Sequence, residues 1–535
     1  MKSLCLPALL LLPLLVSSGP AFGQAKKLPN ILLLGGAVSE EQGEAVQKRL
    51  MGKAVILQPE DDTTSAAMLA NLDQWLAREK PAVIHLSPAA SASPEDEANY
   101  RQIIQRAQKQ AETTALVFAS QPGDALTTAL RQQTKVTVHD LSAAPDSVAG
   151  AVADCVLRQW IVLKYSKPSP PRPGGPEAAA KYREAEKAHD AEVPEMYKKL
   201  PIGKFQLPES ADAWKQQRPD VLAKVVASLG DLPPRPAKPK ARLISRELRP
   251  GYTLERVALD NGEGNDISAL VLIPDKRQPH APAVLWLHSS TPDKNGLITP
   301  GEDPESIGEA LVRNGYVVLA PDAPYYGDRA ENVPSGPRDV YHRGVQPYAN
   351  VTQDALLKLN LWLGRTLWGM FVRDDQIALD YLCTRPEVDV QRIGVTGMSM
   401  GSTRAWWLAA VDERIAATVG VACLTRYENL IHHGNLKAHG LYYFSYGLLK
   451  HFDTEGVIAL MAPRPFLALT GDLDYGSPAD GIRVIEEKAG HVYRTVGAGE
   501  AFRSILYPDT GHVYTAEMRR EMLAWFQQWL KPAVE

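Results

Sequence analysis

The stretch "RIGVTGMSMGSTRAWWLAA", residues 392–410, decides the fold. An apolar run ends in a Gly-x-Ser-x-Gly turn at residues 397–401, and a helical pattern follows at once. In this strand–turn–helix context the pattern is typical of a nucleophile elbow, whose serine takes a strained backbone conformation. Side chains in place of the glycines would collide with neighbouring chain, and the helix N-terminus favours negative charge at the serine. The stretch therefore predicts that Ser399 is a nucleophile, with a plain packing turn as the alternative.

A serine hydroxyl needs a base, and the chain order typical of such an elbow is serine, acid, histidine. The strand after next, "PFLALTG", is followed by Asp472 and Asp474. The last strand, "FRSILYP", is followed by "DTGHVY", which contains His512. We therefore predict a catalytic triad of Ser399, Asp474 and His512, and interpret Asp472 as a turn or helix-cap carboxylate.

Two further histidines, His491 and His288, have to be considered as alternatives to His512 for the role of the base. The sequence "GHVY" occurs a second time at residues 490–493, where His491 follows a helical pattern. We interpret this second occurrence as a surface turn. His288 precedes Ser399 in the chain, so we expect it to shape its loop and to take no part in catalysis.

An acyl-transfer reaction also needs two hydrogen-bond donors for the oxyanion of its tetrahedral intermediate. One donor is expected to be the backbone N–H of Met400, directly after the nucleophile. The other is expected from the loop after "AVLWLH", at Ser289 or Ser290.

Composition places the chain among soluble globular proteins. Its 535 residues predict two or three domains, and 45% hydrophobic with 22% charged residues is ordinary for such proteins. The formal charge of −4 gives no reason to expect nucleic acid. Cys155, Cys383 and Cys423 are too few and too widely spaced for a disulfide framework or a zinc motif. The sequence predicts neither a metal site nor a cofactor.

The first 23 residues predict export. A lysine, an apolar run and small residues follow one another as in a secretory signal peptide, with a buried N-terminal helix as the alternative. No later segment has an apolar run long enough for a membrane span. The expected location is therefore the periplasm or the cell exterior.

Strands and helical patterns alternate in two parts of the chain, which predicts an α/β protein with two such domains. Residues 28–165 predict a small, doubly wound parallel sheet of flavodoxin-like type, with strands at "NILLL", "AVIL", "AVIHL", "ALVFA" and "VTVH". Residues 166–213 predict a linker that is rich in proline up to residue 180 and helical beyond it. Residues 214–535 predict the catalytic domain, with eight strands at "LERVAL", "ISALVLIP", "PAVLWLH", "YVVLAPD", "RIGVTG", "AATVGVA", "PFLALTGD" and "FRSILYP".

An insertion at about residues 423–463 is expected to form a cap over the site. It is rich in tyrosine and histidine, which suits stacking on a sugar or aromatic ring, and His439 and Tyr442 are its candidates for substrate contact. His432 and His433 lack a third nearby ligand, so we do not predict that they bind a metal. Trp406 and Trp407 follow the elbow and are predicted core residues.

From about Trp214 to its end the chain resembles the α/β-hydrolase fold, in its dienelactone-hydrolase-like and acetyl-xylan-esterase-like branch. The resemblance rests on "LHSS", "DAPYYGDR", "WGMFVRDDQIALDYL", "RIGVTGMSMG", "LMAPRPFLALTGDLDYGSP" and "TGH". Arg329, which ends the second of these motifs, is a third candidate for substrate contact. Dienelactone hydrolases carry cysteine at the elbow, so the serine favours an esterase over a lactone-specific enzyme.

The first domain resembles the SGNH or GDSL hydrolases, because "NILLLGGAVSEEQGEAVQKRL" looks like their opening strand, turn and helix. Gly36 and Ala37 stand where that family has its acid and its nucleophile. Ser87 stands near its oxyanion asparagine, and its closing histidine is missing. Ser39 begins a capping box, which is a structural use of a hydroxyl. The resemblance therefore implies a degenerate domain that is catalytically silent and serves a structural or carbohydrate-binding role.

These patterns favour an exported serine esterase that deacylates a plant-type polysaccharide, with an acylated carbohydrate as its partner. Two alternatives remain open at this point. One is a serine peptidase of the prolyl-oligopeptidase type, although no propeller repeat is present. The other is a non-catalytic carbohydrate-binding protein. The sequence decides neither the acyl group nor the oligomeric state.

Overall fold

The computed structural model describes residues 30–34, 40–50, 54–59, 64–87, 93–110, 115–120, 136–140, 152, 176–300, 305–329 and 349–531. Four features of the sequence lie outside the described residues: the signal-like residues 1–23, the turn at residues 35–39, Cys155 and the proline-rich residues 166–175. Among the described helices, none is long and apolar enough to cross a membrane.

The first part of the chain forms the five predicted strands. They are β1 (Asn30–Leu34), β2 (Val55–Leu57), β3 (Val83–Leu86), β4 (Ala115–Ser120) and β5 (Val136–Asp140). Helices α1 (Glu40–Arg49), α2 (Ser65–Glu79) and α3 (Pro94–Gln110) alternate with them. The strands are parallel in the order β2-β1-β3-β4-β5. This is the 2-1-3-4-5 order of flavodoxin-like sheets, whose ligands bind at the carboxyl ends of the strands.

The second part of the chain forms nine strands. They are β6 (Ala241–Arg249), β7 (Tyr252–Leu259), β8 (Ile267–Pro274), β9 (Ala281–Leu287), β10 (Val317–Pro321), β11 (Val388–Met398), β12 (Ile415–Val421), β13 (Phe466–Gly471) and β14 (Phe502–Tyr507). The eight predicted strands are all present as β7 to β14. The helices described around them are α4 (Pro176–Glu192), α5 (Glu195–Lys198), α6 (Ala211–Ala227), α7 (Ile307–Arg313), α8 (Ala349–Trp362), α9 (Leu367–Leu382), α10 (Met400–Val411), α11 (Tyr427–His432), α12 (Thr454–Ala459), α13 (Ala479–Thr495) and α14 (Ala516–Leu530).

Strand order explains where the chemistry gathers. Strands β7 to β14 pair in the order β7-β8-β10-β9-β11-β12-β13-β14, and β8 is antiparallel to β7 and β10. From β10 to β14 the pairs are parallel, so the strands end at one edge of the sheet. The loops after β9, β10, β11, β12, β13 and β14 therefore meet at that edge. A large mixed sheet of this kind agrees with the α/β-hydrolase fold that the resemblance implied.

Strand β6 was missed by the sequence analysis, and it joins the two sheets. It pairs antiparallel with β5 through Val138 and Leu248 and antiparallel with β7 through Leu243 and Val257. The result is one sheet of fourteen strands. The sequence of β6 contains three arginines and lacks the apolar alternation that predicts a strand. In the structure the strand is partly exposed.

The helices between the two parts of the chain pack on the catalytic part. Helix α6 buries Trp214, Val221 and Val225 in the main core. Helix α4 begins at Pro176, so the last five residues of the predicted proline-rich stretch are helical. The predicted core residues Trp406 and Trp407 are both 1% exposed, which confirms that interpretation.

Candidate active site

Ser399 occupies the predicted turn between β11 and α10. Its backbone has φ 57° and ψ −119°, a conformation that non-glycine residues rarely adopt and that is often retained at functional sites. A side chain at Gly397 or Gly401 would collide with the carbonyl oxygen of Leu287. The glycines therefore allow β9 to approach the turn, and the N–H of Ser399 donates to Val421 at 2.9 Å. The strand–turn–helix geometry predicted for this stretch is present.

The structure brings the three predicted triad residues together. The hydroxyl of Ser399 donates to His512 Nε2 at 2.8 Å, and His512 Nδ1–H donates to Asp474 Oδ2 at 2.8 Å. The Asp474 side chain is 1% exposed, whereas that of His512 is 33% exposed. The other oxygen of Asp474 accepts the backbone N–H of Gly476 at 3.0 Å, which fixes the carboxylate. A hydroxyl, an imidazole and a buried carboxylate are thus connected as acyl transfer requires.

The pKa of His512 is set by two opposed effects. Burial lowers it, but the hydrogen bond to Asp474 and the charge of that carboxylate outweigh burial, so the pKa is raised above the ordinary 6.5. As a base, the imidazole must be neutral to take the serine proton. Protonation below the raised pKa therefore removes the base.

We accordingly expect kcat/KM for a small ester to rise with pH and to reach half its plateau above pH 6.5. The measurement is a kcat/KM profile of the free enzyme on a substrate that does not itself titrate in this range. A profile that is already flat at pH 6 would show that Asp474 does not raise the pKa of this imidazole.

Two residues that compete for triad roles take other partners. Asp472 accepts from Arg183 Nη2 at 3.0 Å and from the N–H of Thr510 at 3.3 Å, so it is a loop-bracing carboxylate. His491 lies inside helix α13, and its Nε2 donates to the carbonyl of Pro208 at 2.8 Å. The interpretation of the second "GHVY" as a surface turn was wrong, because these residues continue an amphipathic helix.

The loop after β9 lies against the elbow, where the sequence predicts the oxyanion donors. Met400 is the first residue of α10, so its N–H lies at the helix N-terminus and has no partner one turn earlier in the helix. Ser289 is half-buried and Ser290 is exposed, both in the loop that follows Leu287. Met400 thus begins the helix after the nucleophile, and Ser289 and Ser290 lie in the loop after β9. Their role as oxyanion donors stays a proposal.

His288 shapes this loop. Its Nδ1–H donates to the carbonyl of Ser289 at 2.6 Å, and its Nε2 accepts the N–H of Ala323 at 2.9 Å. Burial first, and the charge of Arg404 second, hold the pKa of His288 well below its usual value. A neutral imidazole with both nitrogens engaged ties the loop after β9 to the loop after β10, as a structural histidine would.

A charge cluster around the buried Lys294 holds the same two loops. Lys294 Nζ donates to Asp322 and, at 3.0 Å, to Asp328, and Arg256 reaches Asp328 at 2.6 Å. Lys294 is 0% exposed. Burial raises the pKa of Asp322 to about 6, against the opposing effect of Lys294. Since a buried charge left without its partner is strongly destabilising, these side chains fix the shape of the loops around the elbow.

Two of the three predicted substrate contacts are buried in the protein instead. The Arg329 side chain is 3% exposed and pairs with Asp374 at 2.7 Å. Tyr442 is 5% exposed and stacks on Phe371 at 5.5 Å between ring centroids. The sequence motifs that contain them indicate loop and core packing, because neither side chain has surface to offer a ligand. Both expectations are corrected accordingly.

His439, the third candidate, lies beside the triad. Its Nε2–H donates to the carbonyl of Gly476 at 2.7 Å, and a Cβ on Gly476 would lie 3.3 Å from Asp474 Oδ1 and 3.5 Å from His439 Nε2. Burial lowers the pKa of His439, so the ring is neutral and Nδ1 is an acceptor. That nitrogen is buried and has no hydrogen-bond partner among the described residues.

Cys423 also lines the nucleophile, with Tyr443 behind it, and neither residue was a predicted site residue. Cys423 Sγ lies 3.9 Å from Ser399 Oγ, and Tyr443 Oη lies 3.9 Å from Cys423 Sγ. Ala422 and Cys423 both have positive φ, so the chain turns sharply after β12. The sequence did contain a signal for Cys423. It follows the strand next to the elbow strand, so it must lie at the same edge of the sheet as Ser399.

Cys423 is not expected to be a nucleophile. Burial first, with the charge of Asp474, raises the pKa of its thiol to about 12, and the thiolate is the reactive form. We expect iodoacetamide at pH 8 to leave the activity of the native protein unchanged and Cys423 unmodified. Peptide mapping after alkylation checks this, and inactivation that tracks with an adduct on Cys423 would contradict it.

In the part of the chain that the structure describes, no group of three or more His, Cys, Asp or Glu side chains is arranged to hold a metal ion. His433, which sequence analysis considered as a ligand, is engaged by two carboxylates. Its Nδ1 meets Asp190 at 2.8 Å and its Nε2 meets Asp480 at 3.2 Å.

Comparisons with known proteins agree with this fold. The model of the dienelactone hydrolase family matches residues 267–524. The proposed hydrolase YtaP of Bacillus subtilis (strain 168) is 35% identical over 309 residues, which cover 56% of this chain and 96% of that protein.

Among solved structures, a glucuronoyl esterase from Solibacter usitatus is 18% identical, with a TM-score of 0.47, over 63% of this chain and 99% of that chain. Acetyl xylan esterase 1 from Thermoanaerobacterium sp. JW/SL YS485 is also 18% identical, with a TM-score of 0.40, over 63% and 98%. The assignment rests on the family model and on YtaP, not on these distant structural similarities. The chain therefore belongs to the dienelactone hydrolase family of α/β-hydrolases, with its family domain at residues 267–524.

Proposed function

We propose that this protein is an exported serine esterase that removes acyl groups from a carbohydrate. The observation that carries the proposal is the hydrogen-bonded series from Ser399 through His512 to Asp474, with both distances at 2.8 Å. A hydroxyl connected to a neutral imidazole, which is held in turn by a buried carboxylate, is the arrangement that activates a serine for attack on a carbonyl carbon. Export rests on the signal-like pattern of residues 1–23.

The mechanism follows from these contacts. Ser399 Oγ attacks the ester carbonyl carbon while His512 Nε2 takes the hydroxyl proton, and Asp474 stabilises the imidazolium that forms. His512 then gives the proton to the departing alcohol oxygen, which leaves an acyl group on Ser399. Water, deprotonated by the same imidazole, attacks the acyl-enzyme, and the acid is released with Ser399 regenerated. The N–H of Met400, with a donor from the loop at Ser289 and Ser290, would hold the oxyanion.

Serine at the elbow supports an ester as substrate. The elbow itself carries serine, and Cys423, 3.9 Å from the Ser399 hydroxyl, is a neutral thiol. The Ser399 hydroxyl, with its base in place, is the group equipped for attack on a carboxylic ester.

The surroundings of the triad support a carbohydrate as the alcohol part. Aromatic side chains are exposed nearby in the chain, with Tyr475 at 50%, Phe444 at 46% and Tyr446 at 73%. Such rings provide flat apolar surfaces, and the two tyrosines add polar hydroxyls, which suits the faces of a sugar ring.

A substrate panel tests the proposal. The purified full-length protein is assayed for acid release from p-nitrophenyl acetate, acetylated xylan, feruloylated arabinoxylan and a methyl uronate. An aminoacyl-proline chromogenic amide is included for the peptidase alternative. We expect hydrolysis of the small ester and of at least one acylated polysaccharide. Cleavage of the amide without hydrolysis of any ester would overturn the proposal in favour of a peptidase.

A further inference from the structure

Helix α4, which precedes the family domain, contacts both loops that supply partners to Ser399. A single nitrogen of Arg183, Nη2, donates to Asp472 Oδ2 at 3.0 Å and to Asp509 Oδ1 at 2.7 Å. Asp472 precedes Asp474 by two residues, and Asp509 precedes His512 by three. One guanidinium nitrogen therefore joins the loop of the acid to the loop of the base.

The two loops also touch through their backbones, so the Arg183 contact adds to a packing that already exists. The N–H of Leu473 donates to the carbonyl of Thr510 at 2.9 Å, and a side chain at Gly471 would collide with that same carbonyl. Asp472 and Asp509 bring two negative charges to facing loops, so a cation between them opposes their repulsion. Asp509 has φ 51°, a conformation that persists only where the surroundings hold it.

A second contact fixes the far end of α4 on the cap. His433 lies between Asp190 of α4 and Asp480 at the start of α13, at 2.8 and 3.2 Å. The hydrogen bond to Asp480, and next that to Asp190, raise the pKa of His433 to about 9. At neutral pH the imidazole is therefore charged and attracts both carboxylates. Helix α4 is thus held at two points, one on the triad loops and one on the cap.

We propose that Arg183 is a positioning residue for catalysis and that the catalytic unit begins at helix α4, outside residues 267–524. Arg183 touches none of the reacting atoms. It holds the loop of Asp474 against the loop of His512, and so keeps the carboxylate and imidazole at their 2.8 Å separation. This inference rests on the proposed role of the triad.

The size of the effect follows from how steeply catalysis depends on placement. A misplacement of about 1 Å costs on the order of 10²-fold in rate. Arg183 is 43% exposed and the loops keep their backbone contacts without it, so a smaller displacement is expected. We expect Arg183→Ala to lower kcat about tenfold on a small soluble ester, with KM within about twofold, because the substrate is not touched.

The test uses full-length variants in one assay. Arg183→Lys should restore most of the lost kcat, since a single nitrogen makes both contacts. Asp509→Asn removes one end of the bridge, and the double variant Arg183→Ala with Asp509→Asn should be no worse than Arg183→Ala alone. Arg503→Ala is the matched control, because it breaks an exposed ion pair of 3.1 Å with Glu521 and should leave kcat unchanged.

Each outcome separates this inference from the proposed function. A wild-type protein that hydrolyses no ester would remove the proposed function. An active wild type with an equally active Arg183→Ala variant would overturn only the role of Arg183. The role of Arg183 would also be overturned if the losses of kcat in the double variant were fully additive, or if only KM changed. Neither result is expected when Arg183 and Asp509 form one contact that positions the base. Should Arg183→Ala fail to fold, Asp509→Asn and Arg183→Lys test the same contact.

Discussion

Replacing Ser399 by alanine is expected to lower kcat on a small ester by about 10⁴- to 10⁶-fold. The variant keeps the fold, because the residue is half-buried and the glycines on either side still permit the sharp turn. His512→Ala should cost nearly as much, since the hydroxyl and the imidazole act as one unit and their losses are not additive. Steady-state kinetics of both variants and of their combination measure this.

His491→Ala is the matched control for His512→Ala. His491 occupies the same "GHVY" sequence, yet its ring donates to Pro208 and lies in a helix away from the triad. The His491→Ala variant should keep its activity. Loss of activity in His491→Ala, with a fully active His512→Ala, would contradict the assignment of the base.

The second large effect is expected at the acid. Asp474→Asn should lower kcat by about 10⁴-fold, because an amide in place of the carboxylate favours the wrong imidazole tautomer and cannot stabilise the imidazolium. Residual activity should come from the oxyanion donors and from substrate binding alone. The change is read from kcat on an activated ester, at a pH where the wild type is on its plateau.

Asp472→Asn separates the catalytic carboxylate from its neighbour. Asp472 braces the loop through Arg183 and Thr510, so a loss near tenfold is expected there, comparable to that of Arg183→Ala. Losses of equal size for Asp472→Asn and Asp474→Asn would contradict the hydrogen-bond pattern that selects Asp474.

The sequence predicted the central parts of the site because those parts obey local rules. The glycines of the elbow are required by the approach of Leu287, and the order of strands places Asp474 and His512 at the edge where Ser399 lies. The strands β7 to β14 are apolar runs of ordinary length, bounded by polar turns. In each case a short stretch of sequence carries the signal, although the contact that uses it joins distant parts of the chain.

Other features depend on contacts between distant segments, which a local pattern does not contain. Strand β6 carries three arginines, and it is a strand because β5 and β7 flank it. By sequence alone, helix α4 is a charged linker helix. In the structure its Arg183 and Asp190 contact residues far along the chain, Asp472 and His433. Tyr442 suited a binding role by composition, but it packs on Phe371 in the core. Tertiary packing decided all of these.

The central claim is that Ser399 is the nucleophile of this protein, and site mapping of a fluorophosphonate probe tests it most directly. The full-length wild type and the Ser399→Ala variant are labelled, digested and analysed by mass spectrometry. The account predicts a single adduct, on Ser399, and no labelling of the variant. An adduct on Ser39, labelling that persists in Ser399→Ala, or an active wild type that takes no label would contradict it.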